Sequence, residues 1–237
     1  MGKRITQVAR NQVMMILGLD TSTLAGSIAL IRDEQILGEV SFNLGRKHTE
    51  RLLPEMDWLF HRLGLEPKSI EGIAVGIGPG SFTGVRVGLA TAKGLALSLS
   101  VPIVGVSSLE ALAWSVRFYD GPILALLDAR KGEVFARFYQ GGKNFQAGSE
   151  HLVIPPDRLI PMIKEKTLAV GEGSRIYQDQ FQGKAAFAGF EFEYPRASII
   201  GKLGWERLAR KETDPLEQMV PIYLRPSDAE FRKAEVS

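Results

Sequence analysis

The stretch Gly72–Leu97, GIAVGIGPGSFTGVRVGLATAKGLAL, decides the fold. It opens as an apolar run that reads as a buried strand, turns at Gly78-Pro79-Gly80, and continues as a helix in which Gly84, Gly88, Ala92 and Ala96 recur every four residues. Positions four apart drift by about 40° per step around a 3.6-residue helix, so these four form one ridge on which another backbone can approach closely. The rest of the helix, with Val85, Val87, Leu89, Leu95, Leu97 and Leu99, is apolar almost all round, and Arg86 and Lys93 share one narrow strip. A helix so sparsely polar is covered on most sides, by its own domain or by a partner. Two cations inside the apolar run exclude a membrane span.

Upstream, Ile16–Asp20 reads as a short buried strand followed by a Thr21-Ser22-Thr23 turn, and Gly26–Arg32 and Gln35–Leu44 as two strands joined at Asp33-Glu34. A helix is predicted from Thr49, whose hydroxyl caps it, to about Gly64, with Glu50 complementing its positive end. Its apolar stripe is Leu52, Leu53, Met56, Leu59, Phe60 and Leu63. Trp58 lies off that stripe beside Arg51 and His61, as a rim residue of its own domain or a contact for another molecule.

Downstream, the pattern predicts a strand at Ile70–Ile77, the ladder helix at Phe82–Leu99, a strand at Pro102–Val106 and a helix from Ser108 to about Tyr119. Pro122 restarts the scheme. Ile123–Asp128 reads as a buried strand with Glu133–Tyr139 as its antiparallel neighbour, so Leu126-Leu127-Asp128 echoes Gly18-Leu19-Asp20 and the chain reads as duplicated. A loop at Gly141–Gly148, a helix near Pro156–Lys164, a short strand at Leu168–Gly171 and a final helix near Ser198–Arg210 complete a thinner second half. The expected lobes are 15–106 and 107–226, with the last segment packing back on the first lobe, and 1–14 and 227–237 are expected to be poorly ordered.

At 237 residues and 45% hydrophobic content the chain builds a real core. A formal charge of +2 is too small for strong sequence-independent attraction to nucleic acid, so any RNA contact is local or shared with a partner. The absence of cysteine excludes disulfides, thiolate zinc sites and cysteine nucleophiles, and fits the cytoplasm. The opening MGKRITQVARNQVM runs into strand-like ILGLD rather than the apolar core of a signal peptide, and Met14 or Met15 is a natural start for the folded part.

ILGLDTST, KHTERLLP, AVGIGPGSFTGVRVGLATAKGLA, LLDARKGEVF and the terminal PIYLRP, spread from about Met15 to Pro226, together resemble the TsaB (YeaZ-type) family. That family is a subunit of the bacterial machinery that places threonylcarbamoyl on adenosine 37 of tRNA, and a paralogue of TsaD. The resemblance implies a two-lobed α/β actin-like/sugar-kinase ATPase fold, ribonuclease H-like, with mixed sheets flanked by helices and a reduced second lobe. It implies a non-catalytic scaffold in the cytoplasm, without a cofactor of its own. TsaD carries ATP, metal and the transfer, TsaE joins as an ATPase, and tRNA is met indirectly. The helices Thr49–Leu63 and Phe82–Leu99 are expected to pair with the matching helices of TsaD through Leu52, Met56, Trp58, Leu59, Phe60, Leu63, Gly84, Val85, Gly88, Leu89, Ala92 and Ala96, or with their own copies in a homodimer.

In ATPases of this fold the two Asp-headed hairpins hold phosphate and metal, which makes Asp20, Thr21, Ser22 and Asp128 candidates for a vestigial nucleotide site. Ala129 and Arg130 stand where such a turn uses glycine, and turn-capping is the plainer role for both aspartates. The loop Gly78-Pro79-Gly80-Ser81 offers backbone donors to an anion but lacks the lysine of a P-loop, and Gly171-Glu172-Gly173-Ser174 is a second glycine turn, near where this fold meets adenosine. His48, His61 and His151 include no i, i+4 pair, whereas the metal of TsaD is held by a His-x-x-x-His helix pair. No catalytic residue and no metal site are therefore expected. The alternative from the enzyme class is an ATP-dependent phosphotransferase with Asp20 and Asp128 around magnesium.

Overall fold

The computed structural model describes residues 14–43, 48–164 and 166–225, without the side chains of 48 and 49. The predicted Thr49 cap, the strand end at Leu44 and most of both tails lie outside the described residues.

The first lobe is a five-stranded sheet. Strands β1 (Met15–Asp20), β2 (Ala25–Arg32) and β3 (Gln35–Asn43) form an antiparallel meander, helix α1 (His48–Leu63) follows, and β4 (Gly72–Gly76), helix α2 (Phe82–Leu99) and β5 (Ile103–Val106) add parallel strands on the other side of β1. The spatial order is β3-β2-β1-β4-β5. Leu17 and Leu19 point to the face covered by α1 and α2, where they meet Leu52, Met56, Leu59, Phe60, Leu89 and Ala92. Ile16, Ala74 and Val104 point to the opposite face, covered by the last helix. Alternate side chains of a strand thus serve two cores, which is why β1 is buried at every position.

Helix α3 (Ser108–Ser115) crosses to the second lobe. Its sheet is built on the hairpin β6 (Pro122–Arg130) and β7 (Glu133–Gln140), with β8 (Gln146–Ala147) and β9 (Leu152–Ile154) pairing on β7. After α4 (Pro156–Leu159), β10 (Leu168–Val170) pairs parallel to β6, helices α5 (Glu172–Ile176) and α6 (Gln178–Phe181) follow, and β11 (Ala186–Phe187) pairs parallel to β10. The order β11-β10-β6-β7-β8 repeats the first lobe with β6 in the place of β1 and β10 in the place of β4. The duplication read from the two Asp-headed strands is therefore carried by the topology as well.

Helix α7 (Ala197–Ala209) returns to the first lobe. Its start is held by that lobe's sheet: the Ala197 amide donates to Ser27 Oγ at 2.8 Å and the Ser198 amide to Glu39 Oε1 at 2.8 Å, so strand side chains occupy two of the amides a helix start leaves open. A Cβ on Gly204 would sit 2.3 Å from Ala74 Cβ, which shows how closely this helix lies on the sheet.

Several boundaries differ from expectation. The helix predicted to Tyr119 ends at Ser115, and that predicted to Lys164 stops at Leu159 and continues as a 3-10 turn over Ile160–Met162, where Pro161 has no amide to continue an α-helix. The strand predicted from Ile70 starts at Gly72, after a 3-10 turn at Pro67–Ser69. The turn Gly171–Ser174 is the start of α5, entered through Gly171 at φ 99°. Among the described residues no helix is long and apolar enough to cross a membrane.

Candidate functional site

The ladder of small residues packs inward. Gly84, Val85, Gly88, Leu89, Ala92 and Ala96 are all buried within the chain's own lobe. A Cβ on Gly84 would fall 2.2 Å from the Thr21 carbonyl oxygen, and one on Gly88 would fall 2.3 Å from Thr21 Oγ1. Thr21 Oγ1 in turn donates to the Gly84 carbonyl at 2.7 Å. The backbone that approaches this ridge is the turn after β1, and the expectation that the ridge faces a partner is corrected. Leu52, Met56, Leu59 and Phe60 are likewise core, and Leu63 packs against that core from its edge. Of the twelve residues expected at the interface, Trp58 stands out in solvent, 49% exposed, with the Arg62 guanidinium over its ring.

The outer faces of α1 and α2 look different from the predicted ones. Leu53 is 55% exposed and Leu97 73% exposed, and Gly94 has nothing within 4 Å of where its Cβ would be. Ala90 and Ser98 are exposed on the same helix, so a smooth strip of small side chains ending in Leu97 runs along its outside. Both helices lie on one face of one sheet, and Leu53 and Trp58 on α1 and Gly94 and Leu97 on α2 are left outside that shared core.

A second feature is a cleft of about 340 Å³ between the lobes. Its floor and walls are the turn after β1 (Ser22, Thr23), the start of α2, the end of β6 (Leu127 to Arg130), Glu172, and the chain segment Pro221 to Arg225. Ser22 and Asp128, two of the four candidate nucleotide residues, meet here. Asp20 and Thr21 do not line the cleft. Asp20 is buried, and its Oδ1 accepts from the Ser22 amide at 2.9 Å and the Ser22 hydroxyl at 2.7 Å, while Oδ2 accepts from Ser108 Oγ at 2.8 Å. Both oxygens are engaged by the fold, the turn-capping role of an Asx residue. As candidates for a vestigial nucleotide site, Asp20 and Thr21 are corrected by their inward packing.

Asp128 caps the second hairpin in the same manner, accepting from the Arg130 amide at 3.0 Å and from the Tyr177 hydroxyl at 3.1 Å, with the Arg130 guanidinium 3.2 Å from its other oxygen. Arg130, Lys131 and Gly132 all have positive φ, so the tight turn places two side chains in a conformation that favours glycine. Arg130 is thereby aimed back at its own carboxylate. Glu172, at the start of α5, reads from the sequence only as part of a glycine turn, and its carboxyl is not singled out there. It is 8% exposed. Burial, and next the charge of Asp128, push it up to about 7. Its place between two glycines was the available signal, because Gly173 lets α5 lie against the Leu126 and Leu127 backbone and draws Glu172 into the cleft.

The loop at Gly78–Ser81 is committed to structure. The Ser81 amide donates to the Ser22 carbonyl at 2.6 Å, and the Ser81 hydroxyl accepts from the Gly84 amide as the cap of α2. Of the histidines, His61 is exposed and His151 lies away from the cleft, where Ser107 Oγ is 3.0 Å from its Nε2 and an Arg137 nitrogen 3.4 Å. Because the guanidinium only donates, Nε2 is an acceptor and the ring is neutral. Burial and Arg137 lower it to about 4. Among the described residues no group of three or more His, Cys, Asp or Glu is placed to hold a metal ion.

Comparison with known proteins gives this geometry its context. The family model for TsaD, tRNA N6-adenosine threonylcarbamoyltransferase, matches residues 35–233. The tRNA threonylcarbamoyladenosine biosynthesis protein TsaB of Bacillus subtilis is 35% identical over 234 residues, covering 94% of this chain and 99% of that protein. The solved structure of YeaZ from Pseudomonas aeruginosa superposes with a TM-score of 0.78 at 31% identity, over 89% of this chain and 100% of that one. Ethanolamine utilization protein EutJ from Carboxydothermus hydrogenoformans, at 10% identity and a TM-score of 0.51 over 83% of this chain and 92% of its own, shares the fold alone. The architecture is the two-lobed actin-like ATPase fold, and by its near full-length match to such relatives the chain belongs to the TsaB (YeaZ) family of tRNA threonylcarbamoyladenosine biosynthesis proteins.

Proposed function

We propose that the chain is the non-catalytic scaffold of the complex that makes threonylcarbamoyladenosine in tRNA, and that it docks on a TsaD subunit through the outer faces of α1 and α2. The observation behind this reading is the set of exposed apolar residues on these two helices, Leu53, Trp58 and Leu97, together with the bare backbone at Gly94 on α2. A glycine without neighbours in mid-helix disfavours the isolated helix, and it becomes useful where a second helix comes near. Small and apolar positions flanked by Arg51, His61 and Arg62 have the make-up of an interface core with a polar rim.

In this reading ATP, metal and the transfer step belong to TsaD in the cytoplasm, TsaE joins that pair, and tRNA is met through the complex. When the chain is isolated, the same face pairs with a second copy about a two-fold axis. The phosphotransferase alternative is weakened by Asp20, because both oxygens it would offer to magnesium are held by Ser22 and Ser108.

Gly94→Leu combined with Trp58→Ala tests the docking surface. Neither site is in the core, so the variant is expected to melt as the parent does while its affinity for TsaD in a titration falls at least about a hundredfold, since truncated aromatic anchors and blocked close approach each remove several kcal/mol. Unchanged affinity with an intact fold would place the contact elsewhere.

A further inference from the structure

The segment that follows α7 does more than end the chain. It first docks along the open edge of β5, where the Asp214 amide donates to the Ile103 carbonyl at 3.0 Å and the Asp214 carboxylate accepts from the Gly105 amide at 2.8 Å. Arg207 grips the same carboxylate at 2.7 and 3.1 Å. Met219 is then buried in the core of the first lobe, and its carbonyl accepts from Lys93 Nζ at 3.0 Å. The Ile222 amide donates to the Ile77 carbonyl at 2.8 Å, at the end of β4. Tyr223 stands at the mouth of the cleft, its ring 5.5 Å from that of Phe82 and its hydroxyl accepting from Arg86 Nε at 2.6 Å, with the guanidinium 3.6 Å above the Phe82 ring. One residue later the chain has changed lobes: Leu224 packs on the core formed by α3 and β6, and Arg225 donates to Glu133 Oε2 at 3.2 Å on β7.

We propose that Met219–Arg225 is a strap that locks the two lobes at a fixed angle by threading the cleft between them. Its anchors are of different kinds on the two sides. On the first lobe it has a buried side chain, one main-chain hydrogen bond to Ile77, one hydrogen bond donated by Lys93 Nζ to the Met219 carbonyl, and an aromatic–guanidinium clamp. On the second it has Leu224 and one ion pair. Helix α3 is packed into both lobes, through Ala111 on the first and through Leu109 and Leu112 on the second, and the strap adds a second non-covalent tie, across the cleft, that restricts hinging about α3. The weaker end is on the second lobe, so opening begins there. This device concerns the isolated chain, and it stands or falls independently of any docking on TsaD.

The chain has no cysteine, so Ser98→Cys on α2 and Lys184→Cys on the second lobe, both exposed, give one pair of spin-label sites, measured in a large excess of unlabelled protein so that only distances within one chain are read. With the strap intact, pulsed electron resonance should return a single narrow distance distribution. Adding Leu224→Ala and Arg225→Ala should broaden it and raise amide hydrogen exchange over 77–85 and 127–130 by about tenfold or more. A distribution and exchange rates identical to the parent in the folded variant would overturn the proposal. Should the double change abolish cooperative melting, Glu133→Gln removes the ion pair without touching a core. It should speed exchange at Leu224 and Arg225 several-fold, and unaltered exchange there would equally overturn the strap.

Discussion

The two lobes carry the same device with opposite consequences. In each, the strand at the centre of the sheet carries an aspartate at or near its end, and glycines at the start of a later helix let that helix lie close beside it. In the first lobe Gly84 and Gly88 close over Thr21, and the aspartate is sealed inside with both carboxylate oxygens accepting hydrogen bonds, from Ser22 and Ser108. In the second, Gly171 and Gly173 close over Leu126 and Leu127, which precede the aspartate by two and one residues where Thr21 follows its own by one, and Asp128 is left at the cleft with Arg130, Tyr177 and Glu172 around it. A shift of where the glycines meet the strand decides whether a carboxylate is structure or surface chemistry. The first lobe has spent its hairpin on rigidity, which suits a part whose outer face is the one offered to a partner.

The hardest way to break that comparison is to fill the closer contact. Gly84→Val would drive a side chain into the Thr21 carbonyl, a main-chain atom that moves only with its strand, and should lower stability by about 4 kcal/mol, at the severe end for overpacking. Gly94→Ala on the same helix meets nothing and should raise stability by about 0.8 kcal/mol through helix propensity. Urea midpoints of the two variants give the signs directly. A Gly84→Val protein as stable as the parent would mean that the ridge does not face inward.

The lesson for reading such sequences lies in that helix. The four-residue spacing of Gly84, Gly88, Ala92 and Ala96 specifies close approach, and the close approach is there. What spacing alone does not specify is whose backbone arrives, because the partner, Thr21, is brought by sheet pairing over sixty residues away in sequence. The outer strip at Ala90, Gly94 and Leu97 carries no stronger periodic signal than the inner one, so exposure had to come from the fold. The two-lobed layout was legible because Gly18-Leu19-Asp20 and Leu126-Leu127-Asp128 head equivalent strands. The short pieces of the second lobe, such as β8 and β11 with two residues each, are too brief to show a period. The glycines around Glu172 and the return of the last segment to the first lobe were legible, but the burial of Glu172 and the crossing of Met219–Arg225 to the second lobe depend on long-range packing, for which local pattern gives no measure.

The aspartates sharpen the comparison at a smaller scale. Asp20→Ala removes the acceptor of three hydrogen bonds in a dry site and strands the Ser22 amide, so it should destabilise by about 3 kcal/mol. Asp128→Ala removes a capping acceptor at the cleft and an ion pair with a largely exposed arginine, and it also relieves the repulsion on Glu172, so its net effect should stay within about 1 kcal/mol. Equal losses in thermal melts of the two variants would contradict the distinction drawn between the sealed and the open hairpin.

A dependence on pH follows from Glu172 in the second lobe. Glu172 holds its proton more tightly in the folded chain, up to about 7, than the ordinary 4.5 of an unfolded glutamate, through burial first and the charge of Asp128 second. A carboxyl raised in this way favours the folded state while protonated. Its contribution is complete below the unfolded value and is lost as pH climbs through the folded one, because between the two the native state binds more protons than the unfolded state. From about pH 5 to about pH 8 this group should therefore take roughly 2 kcal/mol from the stability, less than the full conversion of the shift because the cleft admits some water. Glu172→Gln stays neutral throughout, so the gap between variant and parent should be small at the acid end and open in favour of the variant at the alkaline end. Asp128→Asn should narrow that gap by removing the second cause, and parallel stability curves for Glu172→Gln and parent across this range would show that the carboxyl is solvated rather than held in the cleft wall.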